Sequence, residues 1–338
     1  MVPEQSGSGR EILQVRDLST TFKTERGSLK AVEGVSFDVS KGEIVGLVGE
    51  SGCGKSVTSQ SILRLYDEKH TASYKGQIFF NGEDLLAKPL SAMQGIRGAA
   101  ISMVFQDSLS ALNPVFTIGN QIRESFYIHQ GFSGKKANDR AIEMLRMVGI
   151  PAPEKRISQY PHELSGGMRQ RIMIAIALAC KPQLLIADEP TTALDVTIQA
   201  QIMDLIVELN QKLNMGVILI THDLGVVAET CQKVEVMYLG QIVEEALVAD
   251  IFDEPKHPYT FGLMKSMPRP DGSRKEKLYV IEGVVPLLDQ IPKGCRFAPR
   301  CSQAMDICSR EMPPLVQISN TRKLRCWKTG QGRSEESL

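Results

Sequence analysis

The chain has 338 residues, of which 42% are hydrophobic and 23% charged, values typical of globular proteins and not of disordered or fibrous ones. Lys plus Arg and Asp plus Glu each total 39, so the net charge is zero and no overall basic field indicates a nucleic-acid-binding protein. A chain of this length is expected to hold a main domain and an appendage.

The N-terminal half begins with strand-like pieces. Short β-type runs (ILQV, VSFDV, IVGLVG) alternate with turn residues over residues 11–48, and the last of them leads into a Gly-rich loop. Residues 76–105 supply two more strand-like pieces, GQIFFNG and AISMVFQ. Apolar residues at helical spacing then predict helices over residues 117–149.

From residue 183 the chain alternates strand, helix and strand: QLLIAD, then IQAQIMDLIVELNQKLN, then GVILITHD. This βαβ order predicts a parallel sheet flanked by helices. Beyond about residue 250 the sequence becomes Pro-rich and irregular, so we predict a domain boundary there. No N-terminal secretory signal is recognisable, and the longest apolar runs are about nine residues, so we expect a cytoplasmic chain that does not cross the membrane.

The Gly-rich loop GESGCGKS at residues 49–56 fits the pattern GxxxxGK[ST]. Backbone N–H groups of such a loop and of the following helix converge on phosphates, and glycines allow a close approach that a Cβ would block. Lys55 supplies positive charge to the β and γ phosphates of a nucleotide, and Ser56 supplies a hydroxyl for Mg²⁺. The loop residues predicted to bind nucleotide are Gly49, Glu50, Ser51, Gly52, Cys53, Gly54, Lys55 and Ser56.

The run LLIADEP at residues 184–190 supplies a second part of the predicted site. A buried strand that ends in a carboxylate places Asp188 to hold Mg²⁺ directly or through water. Glu189, one residue further, is predicted to orient or deprotonate the attacking water. An isolated acidic pair after a strand is more often a simple turn, and the phosphate loop makes the functional interpretation the stronger one.

Between these motifs lies LSGGMRQR at residues 164–171, and with it the chain resembles the ATP-binding subunits of ABC transporters. Ser165, Gly166 and Gly167 precede an apolar helix whose N-terminus suits an anion. In that family the anion is the γ-phosphate of ATP held by the opposite subunit. The resemblance therefore implies a dimer that closes on two nucleotides.

Further positions follow from the resemblance. Gln106 matches the glutamine that contacts Mg²⁺ and water, His222 matches the histidine near the γ-phosphate, and Asp195 matches the loop that touches the partner subunit. Phe22 falls where the family stacks an aromatic ring on adenine, although a lone Phe beside a strand is more often a core residue. Catalytic roles are thus predicted for Glu189, His222 and Gln106, and Mg²⁺ ligation for Ser56, Gln106 and Asp188.

The resemblance implies an α/β fold: a P-loop ABC ATPase core with a mixed or parallel sheet and an antiparallel β subdomain, a helical subdomain and an irregular C-terminal extension. The nucleotide-binding domain is expected over residues 11–250, with the helical subdomain at about 107–165 and the extension at 251–338. The wording SLSALNPVFTIGNQI, YPHELSGGMRQR and HPYTFGLM narrows the resemblance to dipeptide and oligopeptide permeases.

In those systems this type of chain, the D-type subunit, pairs with an F-type ATPase. The pair lies beneath two transmembrane permease subunits that an extracytoplasmic substrate-binding protein supplies, so we expect a peripheral protein on the cytoplasmic face of the membrane. Peptides are the expected cargo, and nickel chelates, glutathione and oligosaccharides stay open. Two rival classes are a non-transport ABC ATPase and an interaction module with an inactive ATP site. One phosphate loop, no long heptad run and the intact acidic pair argue against both.

Four of the seven cysteines crowd into the C-terminal region: Cys295, Cys301, Cys308 and Cys326. Four thiolates can build a tetrahedral zinc site or hold a [4Fe-4S] cluster. Tight CxxC pairs, which zinc sites usually show, are absent, so the spacing favours a cluster, and the resemblance favours it too. Zinc and plain thiols remain alternatives, while Cys53 fills a variable position of the phosphate loop with no chemistry expected.

Overall fold

A computed structural model describes residues 11–25, 27–192, 194–267 and 279–330. The chain divides into two compact units, each built from separate segments. The first unit comprises residues up to Leu13, Asp38–Ile44 and Phe79–Ile220. The second comprises Gln14–Phe37, Val45–Ile78 and the residues from Thr221 onward. That residue 250 is the boundary between two domains stays a prediction.

The strands and helices predicted up to residue 223 are present in the predicted order, and further elements occur beyond it. The strands are β1 (Glu11–Thr24), β2 (Gly27–Ser40), β3 (Ile44–Val48), β4 (Ala72–Phe80), β5 (Glu83–Asp84), β6 (Ile101–Val104), β7 (Leu184–Asp188), β8 (Gly216–Thr221), β9 (Lys233–Tyr238), β10 (Gln241–Leu247), β11 (Val316–Ser319) and β12 (Arg322–Leu324). The helices are α1 (Lys55–Ile62), α2 (Leu90–Met93), α3 (Ser108–Ala111), α4 (Ile118–Gln130), α5 (Gly134–Met147), α6 (Pro153–Arg156), α7 (Gly166–Leu178), α8 (Val196–Leu213), α9 (Leu224–Thr230), α10 (Val248–Asp253), α11 (Pro258–Lys265) and α12 (Asp306–Arg310).

The first unit contains a parallel arrangement of β6, β7 and β8. Ile101 lies opposite Leu184, and Leu184 lies opposite Gly216, so the three strands are in register. Every residue of β7 and β8 is buried, as expected for parallel strands covered on both faces. The helix α8 connects β7 to β8, which confirms the βαβ order predicted from residue 183.

Between β6 and β7 the first unit is helical. The predicted apolar positions Ile118, Ile122 and Phe126 of α4 are buried, and α5 buries Met144 and Leu145. Helices α4 and α5 pack against each other and against α7. Thr117 caps α4 by accepting a hydrogen bond from the backbone N–H of Asn120 at 3.3 Å. The predicted helical segment at about 107–165 therefore consists of helices, although its limits as a subdomain stay a prediction.

The second unit combines parallel and antiparallel pairing. β3 runs parallel to β9, with Val45 opposite Lys233 and Val48 opposite Val236. β9 pairs with β10 and β10 with β12, both antiparallel. In the same unit β2, β1 and β4 are neighbours in that order. The mixed sheet expected from the sequence is thus confirmed.

The described residues beyond 250 contain more regular structure than the sequence indicates. They contribute α11, α12 and the strands β11 and β12, of which β12 extends the sheet beside β10. The two strands are four and three residues long, too short to show the alternation of apolar and polar residues that would have predicted them. Across the residues that the structure describes, no helix is both long and apolar enough to span a bilayer.

Candidate functional site

The phosphate loop connects β3 with α1 in the second unit. Its glycines adopt positive φ values, 153° at Gly49, 80° at Gly52 and 98° at Gly54. A Cβ on Gly49 would lie 2.2 Å from the carbonyl oxygen of Met237, so no larger residue fits there. The loop ends at the N-terminus of α1, where backbone N–H groups face an incoming anion.

Lys55 is 5% exposed and its ammonium lies against the loop. The Nζ atom donates to the carbonyl oxygens of Gly49 at 2.8 Å and Glu50 at 3.0 Å. Ser51 and Gly52 are exposed and Ser56 is half-buried, whereas Cys53 is buried. Burial raises the pKa of the Cys53 thiol, which agrees with a packing role and not with reactivity.

Two residues that the sequence analysis missed hold Glu50 of this loop. The carboxylate of Glu50 pairs with both terminal nitrogens of Arg300, and its backbone N–H donates to the hydroxyl oxygen of Tyr259 at 2.8 Å. Tyr259 belongs to the run HPYTFGLM, which resembles peptide permeases but indicates no role for this tyrosine. The sequence offered no signal for Arg300, because nothing in the spacing links position 300 to position 50.

Asp188 and Glu189 lie at the end of β7 in the first unit. Asp188 is buried, and its backbone is paired with Ile220 of β8. Glu189 adopts φ 44°, a left-handed conformation that costs a non-glycine residue about 1–3 kcal/mol. Its Oε2 atom accepts hydrogen bonds from Gln106 Nε2 at 2.8 Å and from Thr192 Oγ1 at 2.9 Å. The structure thus brings the predicted Gln106 and Glu189 together and adds Thr192.

The LSGG sequence forms the start of α7. Ser165 is the N-cap, and its hydroxyl accepts from the backbone N–H of Met168 at 3.4 Å. A Cβ on Gly167 would lie 2.8 Å from Ile198 Cγ2, so this glycine lets α8 approach closely, whereas Gly166 has its nearest neighbour at 3.4 Å. Asp195, the N-cap of α8, accepts from the backbone N–H of Ile198 at 2.9 Å.

The remaining predicted residues belong to the second unit. His222 directly follows β8 and is exposed. Phe22 is half-buried on β1 and meets Tyr66 edge to face, with ring centroids 4.8 Å apart. The roles predicted for both residues stay predictions.

The four C-terminal cysteines line one cavity of about 20 Å³, which has room for roughly one water molecule. The backbone N–H of Cys295 donates to the carbonyl oxygen of Cys308 at 2.7 Å. Burial raises the pKa of Cys295 to about 11 and also raises the pKa of Cys301 and of Cys326. Within residues 11–25, 27–192, 194–267 and 279–330, no group of three or more His, Cys, Asp or Glu side chains is arranged to hold a metal ion.

Comparison with known proteins decides the family. A family model described as ABC transporter matches residues 32–192. A probable peptide ABC transporter ATP-binding protein of Sinorhizobium fredii is 52% identical over 320 residues, covering 95% of this chain and 96% of that protein. The chain belongs to the ABC transporter ATP-binding proteins.

A second family model, for the C-terminal region of oligopeptide and dipeptide transporters, matches residues 243–308 of this ABC ATP-binding protein. The oligopeptide transport ATP-binding protein OppD of Bacillus subtilis is 50% identical, over 94% of this chain and 88% of that protein. The dipeptide transport ATP-binding protein DppD of the same organism is 50% identical over 97% of both chains. The family resemblance predicted from the sequence is confirmed.

Among solved structures, the ABC ATP-binding protein is similar to a dimeric ATP-binding cassette in a post-hydrolysis state bound to ADP and phosphate. The similarity has a TM-score of 0.62 at 28% identity and covers 70% of this chain and 98% of that one. The predicted α/β P-loop ABC fold is therefore confirmed.

Proposed function

We propose that this ABC ATP-binding protein hydrolyses ATP to drive the import of dipeptides or oligopeptides by a membrane transporter. The observation that carries the proposal is the presence in one chain of a formed phosphate loop around Lys55 and of a C-terminal region like that of peptide transporters. The relatives of about 50% identity are named for oligopeptide and dipeptide transport along nearly their full length, which supports peptides as cargo.

The roles of the site residues follow from their chemistry. The loop from Gly49 to Ser56 would bind the phosphates, and Ser56, Asp188 and Gln106 offer the oxygen ligands that Mg²⁺ prefers. Mg²⁺ supplies charge neutralisation on the phosphate oxygens when it is bound. Glu189 would accept a proton from the attacking water, with Gln106 holding one carboxylate oxygen, and His222 would contact the γ-phosphate.

The partners belong to the same proposal. Ser165, Gly166 and Gly167 begin a helix of 13 residues that suits the γ-phosphate of a nucleotide held by another subunit. We infer an F-type second ATPase, two transmembrane permease subunits and an extracytoplasmic substrate-binding protein, with this chain on the cytoplasmic face of the membrane. Nickel chelates, glutathione and oligosaccharides are the alternative cargoes, and a non-transport ABC ATPase is the rival class.

The proposed function is tested with Glu189→Gln in the assembled transporter. Because the amide cannot accept the proton, ATP hydrolysis should fall at least about 100-fold while ATP binding persists. Glu208→Gln, which changes an exposed carboxylate on α8, is the matched control and should hydrolyse ATP at the wild-type rate. Uptake of a labelled dipeptide into vesicles identifies the cargo class. Hydrolysis at the wild-type rate by Glu189→Gln would show that Glu189 is not the proton acceptor. Uptake of nickel chelates or oligosaccharides, without uptake of peptides, would show that the transporter carries one of those cargoes instead.

We also propose that Cys295, Cys301, Cys308 and Cys326 hold a [4Fe-4S] cluster. Their position around one cavity supports it, and four cysteines are the donor set that such clusters take. Among the described residues the four thiols form no metal-binding group, so their arrangement would have to change when a cluster is assembled. No step of ATP hydrolysis depends on this group.

Iron and sulfide analysis of anaerobically purified protein tests the cluster. About four irons and four sulfides per chain are expected, with loss in Cys301→Ser and retention in Cys180→Ser, where the cysteine lies two residues beyond the end of α7. Zinc at one per chain, or the absence of any metal, would contradict the cluster and leave the zinc or plain-thiol alternatives.

A further inference from the structure

The C-terminal region reaches the phosphate loop through one short segment. We call residues 295–301 the arginine segment, because it carries Arg296 and Arg300 between two of the cysteines. Arg296 pairs with Glu33 and donates to the carbonyl oxygen of Leu239, which anchors the segment to the body of the second unit. Arg300, four residues on, contacts the phosphate loop.

The guanidinium of Arg300 makes hydrogen bonds to a carboxylate and to two backbone carbonyl groups. Its Nη1 and Nη2 atoms donate to the two carboxylate oxygens of Glu50 at 2.6 and 3.0 Å. The same guanidinium donates to the carbonyl oxygens of Glu282 at 3.0 Å and Ile281 at 3.3 Å. The Arg300 side chain is 4% exposed and that of Glu50 31%, so the guanidinium is shielded from water while the carboxylate is partly reached by it. Two parallel charge-assisted hydrogen bonds in such a place are strong and fix direction as well as distance.

Tyr259 binds the backbone of Glu50. The hydroxyl oxygen accepts the N–H of Glu50 at 2.8 Å, and the buried ring packs on Tyr238 and on Phe297, with centroids 4.7 and 5.3 Å away. Phe297 belongs to the arginine segment, so Tyr259 packs against the same segment that carries Arg300. Glu50 is thereby held at its main chain and at its side chain.

The position of Glu50 bears directly on the lysine of the loop. The carbonyl oxygen of Glu50 accepts from Lys55 Nζ at 3.0 Å, so a shift of Glu50 moves a ligand of that ammonium. Three glycines make the loop costly to order, since glycine loses the most conformational freedom on folding. Contacts that order the loop before the nucleotide arrives remove that cost from the binding step.

We propose that Arg300 and Tyr259 are positioning residues that hold the phosphate loop in its nucleotide-binding conformation, so that affinity for ATP depends on the arginine segment. The inference rests on the proposed ATP-binding function and adds the residues on which its affinity depends. A merely structural role, in which the contacts attach the C-terminal region to the second unit, would leave the ATP affinity of folded protein unchanged.

The test measures Mg–ATP affinity of the assembled transporter in a thermodynamic cycle. Arg300→Met and Glu50→Gln are each expected to weaken ATP binding about tenfold, and the double variant no more than either single one, because both remove the same contact. Arg310→Met, which removes an exposed cation from α12, is the control and should bind ATP with wild-type affinity. Hydrolysis should show a raised KM for ATP with kcat at saturating ATP within about twofold, since ground-state binding is what changes.

Tyr259→Phe keeps the inference testable should Arg300→Met fail to fold, because it removes one oxygen from a buried ring. It is expected to weaken ATP binding several-fold and to speed amide hydrogen exchange of the loop over residues 49–56. Wild-type affinity in folded Arg300→Met or Tyr259→Phe, or losses that add in the double variant, would overturn the inference and leave the proposed function standing. A wild-type protein that binds no ATP would overturn both.

Discussion

At the scale of single residues, Glu189 shows how the carboxylate that we propose as proton acceptor is oriented. Its backbone adopts the left-handed conformation directly after β7, and Gln106 and Thr192 both donate to Oε2. A carboxylate with one oxygen held by two donors has little rotational freedom, so its other oxygen keeps a constant direction. Thr192 had no role in the sequence analysis, because a Thr that follows DEP is also common in ordinary turns.

Thr192→Val is predicted to slow hydrolysis without weakening ATP binding. Valine keeps the shape of threonine but cannot donate to Glu189, so kcat should fall about 3–10-fold while KM for ATP stays within about twofold. Steady-state kinetics of the assembled transporter measure both constants. Thr197→Val, at an exposed position of α8, is the control, and an unchanged kcat in Thr192→Val would remove Thr192 from the site.

His257 is predicted to make the free energy of unfolding depend on pH. The side chain is 1% exposed, its Nδ1 accepts from the backbone N–H of Tyr259 at 3.1 Å, and burial lowers its pKa from 6.5 to about 3. The folded state therefore binds this proton less well than the unfolded state does. The contribution of His257 is fully present above pH 6.5 and is lost as the pH falls towards 3, by about 2 kcal/mol at pH 5.

His257→Asn should flatten that pH dependence. The Asn oxygen can still accept the N–H of Tyr259 but does not titrate, so the loss of melting temperature between pH 7 and pH 5 should be smaller than in the wild type. Thermal unfolding at several pH values measures the melting temperatures of the two proteins. The effect of the carboxylates, which both proteins share, cancels when the two pH dependences are subtracted. Parallel curves for the two proteins would show that His257 does not titrate on unfolding.

At the scale of elements, the sequence predicted what local pattern determines. The apolar runs of β7 and β8 and the loop GESGCGKS were recognisable because their residues are contiguous. The strand β11, only four residues long, pairs with the adjacent β12. The strand β12 was not recognisable because it pairs with a strand far away in the sequence, with Leu324 opposite Glu244. The ion pair between Arg300 and Glu50 could not be predicted either, because the two residues are far apart in the sequence.

The start of α7 gives a prediction at this scale. Gly167→Ala should lower the free energy of unfolding by about 1–3 kcal/mol, because the new methyl group would meet the branched side chain of Ile198. Gly166→Ala, one residue earlier, has ordinary space and should stay within about 0.5 kcal/mol of the wild type. Urea unfolding measures the free energy of unfolding of both variants. Equal values would mean that α8 shifts to accommodate the methyl group without loss of stability.

At the scale of the whole molecule, the chain order of the motifs identified the family, whereas the division into two discontinuous units could not be foreseen. Each unit collects three separate segments, and local sequence carries no information on which distant segments associate. The second unit also takes its buried Tyr259, Phe297 and Leu324 from beyond residue 250. The fold class could be predicted, and the dependence of one unit on the C-terminal region could not.

A fragment that ends at residue 250 is therefore predicted to be unstable. It would lose β12 from the side of β10 and the aromatic cluster around Tyr259, so we expect insoluble protein or a melting temperature at least about 10 °C lower. Expression and thermal unfolding beside the full chain measure this. A soluble fragment with the stability of the full chain would support the predicted boundary at 250 as that of an autonomous domain.

The pairing of Glu50 with Arg300 also has a consequence for synthesis. The two residues are 250 positions apart, and at about 5–20 residues per second a ribosome needs roughly 12–50 s to pass from one to the other. During that interval the nascent chain carries its phosphate loop without the guanidinium that holds it. Copies whose translation stops before residue 300 should consequently bind ATP at least about tenfold more weakly than finished chains.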